Sequence, residues 1–200
     1  MDPATALGSA FAAFGLSGAA GLNAWIPLLI TGLVHRFGWI DLPDHYDALG
    51  TTPALAALSV ALVVDFVGDK VPAVDHVLHA AGVVVQPAAG AILFAAQSGV
   101  AGDLDPGVAL VAGAIISGSV HAGRASLRPA STATTGGAAN PVLSILEDVL
   151  SFVLTAVAFL LPILAFVLVV GILLAMVFSV RLLWRRMRRG RSNRLPDLSR

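Results

Sequence analysis

The residues of this chain that could do chemistry are few, and their spacing gathers them onto faces. Asp65 and Asp69 stand four apart, on one face of a helix that ends near Pro72, with Lys70 and Asp75 close behind. His121, Arg124 and Arg128 follow at i, i+3 and i+7, again on one face, ending at Pro129. Carboxylates at such spacing can take up a proton or a cation, and guanidinium groups can meet an anionic group. Inside a membrane each ionisable residue costs ~2.5–3.5 kcal/mol on insertion scales, so these groups need partners or water. One reading is an ion-pair network that ties two helices together. The other is a midplane cavity that holds a proton, an ion or a charged solute.

A second constellation lies downstream. The small-residue segment 131–139 runs into Asn140-Pro141, a pairing suited to an N-cap and a first helical position. A helix start of this kind presents free N–H groups and favours an anion. Asn140, Ser144, Glu147 and Ser151 then form a stripe at helical spacing, with Asp148 beside it. Such a stripe belongs either to an ordinary capped helix with polar residues packed inward or to a discontinuous helix that lines a substrate path. Asn23 sits in an uncharged stretch between Gly21 and Pro27. A buried asparagine has four hydrogen-bonding positions to fill, and helix–helix contact is the preferred source over a ligand.

The elements that must position these residues are membrane helices. The chain has 200 residues, of which 57% are hydrophobic and only 12% charged, and it contains no cysteine. Its mean hydropathy is +0.87. These values exclude a disordered tail protein, a disulfide scaffold, a cysteine-ligated metal site and a cysteine nucleophile. Pro3–Val34 and Val149–Val180 carry no formal charge over 32 residues each. As helix, each would run roughly 48 Å, against a bilayer core of ~30 Å. Each is read as one over-long span, the second kinked at Pro162 and the first irregular between Gly18, Gly21 and Pro27. Segments 53–72, 77–96 (with His79 and Gln86) and 106–125 supply three more. The expected fold is an all-α polytopic membrane bundle of about five spans, six if a long stretch folds back. An offset of 54 residues aligns Lys70 with Arg124, Gly82 with Gly136, and Gln86-Pro87 with Asn140-Pro141. That alignment suggests a pseudo-repeat of two units, about 53–99 and 107–153.

The formal net charge of zero hides an asymmetry. Residues 181–200 hold eight arginines against one aspartate, whereas residues 1–180 hold four basic and eleven acidic residues. We expect a single transmembrane domain over 1–180 and a basic cytoplasmic tail over 181–200, held inside by its arginines. Five spans then place the N-terminus outside, and the missing positive n-region argues against a cleaved signal peptide. Trp39 and Trp184 stand where interfacial aromatics are expected. The tail would meet anionic lipid headgroups rather than nucleic acid.

Several segments together resemble a known family. Gly21-Leu-Asn23-Ala, Asp69-Lys70-Val-Pro72-Ala-Val-Asp75 and Pro87-Ala-Ala-Gly90-Ala are similar to those of the bacterial domain-of-unknown-function family 4126. So are His121-Ala-Gly-Arg124-Ala-Ser-Leu-Arg128 and Asn140-Pro-Val-Leu-Ser144-Ile-Leu-Glu147-Asp148. The resemblance covers about residues 10–180, with arginine at 124 where the family more often has lysine. It implies a small multi-pass protein of the bacterial inner (plasma) membrane, with no assigned activity. The expected function is passage of a small solute or ion through a polar intramembrane site. The alternative is a non-catalytic scaffold or assembly partner, with a membrane-embedded lipid-modifying enzyme third. Against the enzyme, the chain lacks the Asp-Gly-x2-Ala-Arg and Pro-Ser-Gly-His segments of membrane lipid enzymes and a G-x-S-x-G elbow. No cofactor or metal is implied, and homo-oligomerisation is open. The candidate site is Asn23, Asp65, Asp69, Lys70, Asp75, His121, Arg124, Arg128, Asn140, Ser144, Glu147 and Asp148.

Overall fold

A computed structural model of the chain describes residues 3–69, 72–101, 104–136 and 139–192. Seven α-helices and one 3-10 helix account for nearly all of them, with no strand among the described residues. In order they are α1 (Pro3–Leu22), α2 (Trp25–Arg36), the 3-10 helix (Asp44–Gly50), α3 (Thr52–Gly68), α4 (Pro72–Ala101), α5 (Pro106–Thr135), α6 (Asn140–Leu160) and α7 (Pro162–Ser192).

The hub is α1, which packs against α4, α5, α6 and α7. Its composition explains this. Ala13, Leu16, Ser17, Ala19 and Ala20 are completely buried. Between membrane helices there is little hydrophobic drive, so association depends on close packing, which small side chains allow. Gly15 faces Ala158 and Ala165, Gly18 faces Val169, and Gly21 lies against Val120. Two serines hydrogen-bond across helices: Ser17 donates to the Gly90 carbonyl at 2.9 Å, and Ser117 donates to the Gln86 carbonyl at 2.6 Å. The closest backbone approach joins α4 and α5, where a Cβ on Gly90 or Gly113 would run into the other residue's carbonyl.

These contacts fix the helix directions. Residues 17 and 21 of α1 meet 90 and 86 of α4, while residue 15 and the break at 23 meet 158 and 148 of α6. Residues 21 and 22 meet 120 and 124 of α5, and residues 15 and 18 meet 165 and 169 of α7. Thus α4 and α6 run antiparallel to α1, and α5 and α7 run parallel to it. At Asn23 the chain turns, and Tyr46 of the 3-10 helix packs back against the cluster of Ala13, Phe94, Ala95 and Ala109. The pairing of Gly32 with Leu55 sets α2 antiparallel to α3, which returns to the Asn23 end. The ends of α1, α3 and α5 and the starts of α2, α4 and α6 therefore lie toward the same side of the bundle, with α4, α5 and α6 running on past the α1–α2 break.

Among the described residues, five helices are long and apolar enough to cross a membrane: Ala4–Leu22, Ala80–Gln97, Pro106–Arg128, Asn140–Leu160 and Pro162–Leu182. The 3-10 helix and α3 make a sixth if counted as one span bent by 60°. The number agrees with the sequence reading, but the set differs: the expected span 53–72 is helix α3, which qualifies only together with the 3-10 helix, and both uncharged stretches divide differently. The second stretch is not one kinked span. Pro162 opens a new helix, and α6 and α7 form a hairpin in which Ala158 and Ala165 meet the same glycine. Counting uncharged residues failed because α6 carries Glu147 and Asp148 within its span. The first stretch breaks at Asn23, inside the bracket of Gly21 and Pro27, into α1 and α2.

The 54-residue repeat does not carry into matching positions. Gly82 lies within α4, whereas Gly136 terminates α5 in the left-handed conformation at φ 64°. Gln86 is likewise mid-helix, while Asn140 begins α6. The outward faces of α3, α6 and α7 are apolar and exposed, with Val60, Val64, Phe152 and Phe178 among them. That is the surface a helix shows to lipid.

Candidate functional site

Asn23 sits where α1 stops, and its side chain fills all four of its positions. Its Oδ1 accepts from the Trp25 and Ile26 amides at 2.9 and 3.2 Å, capping α2. Its Nδ2 donates to Asp65 Oδ2 at 2.9 Å and to Asp148 Oδ1 at 2.8 Å. One amide therefore holds carboxylates from α3 and α6. The same break strips the last carbonyls of α1 of helical partners. Arg124 of α5 donates to the Leu22 carbonyl, and Ser151 of α6 donates to Ala19 O at 3.0 Å and Asn23 O at 3.3 Å. A cation at a helix C-terminus also suits the helix dipole.

The basic face of α5 meets the acidic start of α6. Arg124 Nη1 and Arg128 Nη2 each lie 3.1 Å from Glu147 Oε2. All three side chains are largely buried, at 11% exposure for both arginines and 16% for the glutamate. One turn before Glu147, Ser144 donates to Asp69. Gln86 of α4 joins from the other side. It accepts from Arg124 Nη2 at 2.9 Å and donates to Gly21 O at 3.2 Å and to His121 Nδ1. His121 is 96% buried, 4% of it remaining exposed.

The structure thus brings together Asn23, Asp65, Asp69, His121, Arg124, Arg128, Ser144, Glu147 and Asp148 of the candidates. Asn140 stands apart. It is one residue inside α6, its amide donates to Thr132 Oγ1 at 3.2 Å, and Ala139 occupies the N-cap with no side-chain cap bond. Lys70 and the side chain of Asp75 lie outside the described residues, as do those of His79 and Trp184. Gln86 and Ser151 belong to the site without having been chosen. The signal for Gln86 was a lone amide in an otherwise apolar span, one turn from both Gly82 and Gly90. Ser151 was visible as the last member of the α6 stripe.

Beside this network lies a cavity of about 520 Å³ between α2, α3 and α4. Its walls are mostly small and apolar, including Ala57, Val60, Ala61 and Val85, with Trp25 at the break. Asp65, Asp69, Gln86, Arg124 and Arg128 also line it. A smaller space of about 150 Å³ separates Arg124, Arg128 and Glu147 from Ile172 and Met176 of α7. No group of three or more His, Asp or Glu side chains among the described residues is placed to hold a metal ion.

No curated protein and no solved structure matches this chain. A family model does. Residues 10–182 match the family described as a domain of unknown function, DUF4126, and the chain belongs to that family.

Proposed function

We propose that this multi-pass membrane protein passes a small solute or ion through the site at the α1–α2 break. The observation that carries the proposal is the cavity of about 520 Å³ in contact with buried groups of both charges. Charge balance adds to this. Asp65, Asp69, Glu147 and Asp148 face two guanidinium groups, those of Arg124 and Arg128, among the described residues.

The test is proton flux in proteoliposomes containing a trapped pH-sensitive dye, under an imposed pH gradient. The wild-type protein is expected to collapse the gradient faster than empty vesicles. Asp69→Asn and Arg124→Ala are each expected to return the rate to that of empty vesicles, and wild-type flux in both variants overturns the assignment. The scaffold reading draws on the closed pairs of Glu147 with both arginines and the satisfied amide of Asn23. It prevails if wild-type vesicles leak no faster than empty ones.

A further inference from the structure

The shape and lining of the cavity narrow what it takes. Near their connection, α3 and α4 touch where Gly68 meets Leu78 and Val74. From there they separate, because the other end of α3 is held by α2 and the 3-10 helix instead. The cavity fills the resulting wedge. Ala56, Ala57, Val60 and Val64 of α3 and Ala81 of α4 form its rim and are exposed, Val60 at 63%. In a bilayer this rim faces acyl chains, so the wedge opens sideways into lipid.

At the polar end the two signs of charge are not equivalent. The guanidinium groups of Arg124 and Arg128 are both held by Glu147, and Arg124 is further engaged by the Leu22 carbonyl and Gln86. The donors on Asp65 and Asp69 are neutral, an amide and a hydroxyl, so their negative charge is hydrogen-bonded but not cancelled by those partners. Each carboxyl spends one oxygen in that bond and lines the cavity as well. The polar end of the apolar wedge carries Asp65 and Asp69 together with Arg124 and Arg128. Since the guanidinium groups already share Glu147, the two carboxylates are the groups left to meet a molecule with an apolar tail and a cationic head. The cavity's volume lies within the ~300–1,000 Å³ range of ligand sites.

We propose that the cavity binds an amphipathic amine, which enters laterally between α3 and α4 and places its ammonium group against Asp65 and Asp69. The proposal rests on the solute-passage reading and supplies its substrate class. A free alkylamine and an amine-headed membrane lipid share this chemistry.

Trp25 lines the cavity and can report on it. The full-length protein, with Trp39→Phe and Trp184→Phe, is reconstituted in phosphatidylcholine nanodiscs and titrated with ω-bromoundecylamine, ω-bromoundecanol or ω-bromoundecanoic acid. Bromine quenches a nearby indole. The amine is expected to quench saturably, with a half-saturation at least about tenfold below that of the alcohol, as loss of one charge-assisted contact implies. Asp65→Asn with Asp69→Asn is expected to erase that difference while alcohol quenching persists. That persistence shows the variant still folds around its cavity. Ala61→Phe is expected to abolish saturable quenching by all three probes. Including phosphatidylethanolamine in the nanodisc weakens amine quenching if the lipid is the occupant and leaves it unchanged if a free amine is. Preference for the acid, or equal non-saturating quenching by all three, overturns the proposal. Saturable amine binding without proton flux would instead retain this site and overturn passage.

Discussion

Asn23 concentrates more of the molecule into one side chain than any other residue. It ends α1, caps α2 and holds Asp65 and Asp148. Asn23→Ala removes all four hydrogen bonds at once, and a buried polar group left without its partner costs about 1–3 kcal/mol. We expect a clear fall in the thermal midpoint of the detergent-solubilised protein, measured by differential scanning fluorimetry. Unchanged stability would show that the carboxylates do not depend on the amide. At this scale the sequence was informative about residue type. A lone asparagine in an uncharged stretch had to find partners, and it found them in other helices. What single residues could not reveal was pairing. One of the two readings paired the basic face with the acids at Asp65 and Asp69, yet the partner that Arg124 and Arg128 share is Glu147. Their choice follows from only four residues separating α5 from α6, which keeps Glu147 near the end of the basic face. Asn140 failed as a cap for a similarly local reason, since α6 begins one residue earlier than its side chain requires.

Among the elements, the α4–α5 hairpin is the tightest contact, and glycine is what permits it. At Gly90 an added side chain meets Ser117 and the Gly113 carbonyl, whereas at Gly171 it meets nothing within 4 Å. Gly90→Val is therefore expected to destabilise by at least about 1–3 kcal/mol, the usual range for overpacking. Gly171→Val, on the open face of α7, should stay close to the wild-type protein in the same unfolding measurement. Equal effects would mean that glycine flexibility, and not helix approach, sets the cost. The helices themselves were legible where proline and small residues marked their starts, as at Pro53, Pro106 and Pro141. The α6–α7 hairpin was not, because charge was used as a boundary marker. Glu147 enters the span without penalty enough to exclude it because two guanidinium groups accompany it. Pro162, a helix breaker in either reading, marked the place correctly but not the reversal.

For the molecule as a whole, the helix directions put the start of α1 and the end of α7 on opposite sides of the bundle. The Arg-rich C-terminal turns of α7 are then expected to lie in the cytoplasm and the N-terminus outside. The chain has no cysteine, so a single introduced thiol reports its own location. Ala4→Cys is expected to react with a membrane-impermeant maleimide in intact spheroplasts, and Ser192→Cys only in inverted vesicles. Labelling of both from the same side would overturn this topology. The bundle class and the approximate span number could be read from composition alone. The central place of α1 could not, since nothing in its sequence distinguishes a hub from a peripheral helix of small residues.

That central place has a consequence for assembly. The hub leaves the ribosome before the helices it holds, and its last polar partner follows well behind it. Asn23 and Asp148 are separated by 125 residues. At ~5–20 residues per second of synthesis, roughly 6–25 s pass before the carboxylate that completes the amide exists. During that interval α1 waits in the bilayer with Asn23 unfinished and its terminal carbonyls unclaimed by Arg124 and Ser151. The buried network is therefore closed last, when α6 arrives. A chain halted after α5 would present an open polar end that the cell's quality-control machinery can distinguish from the finished protein.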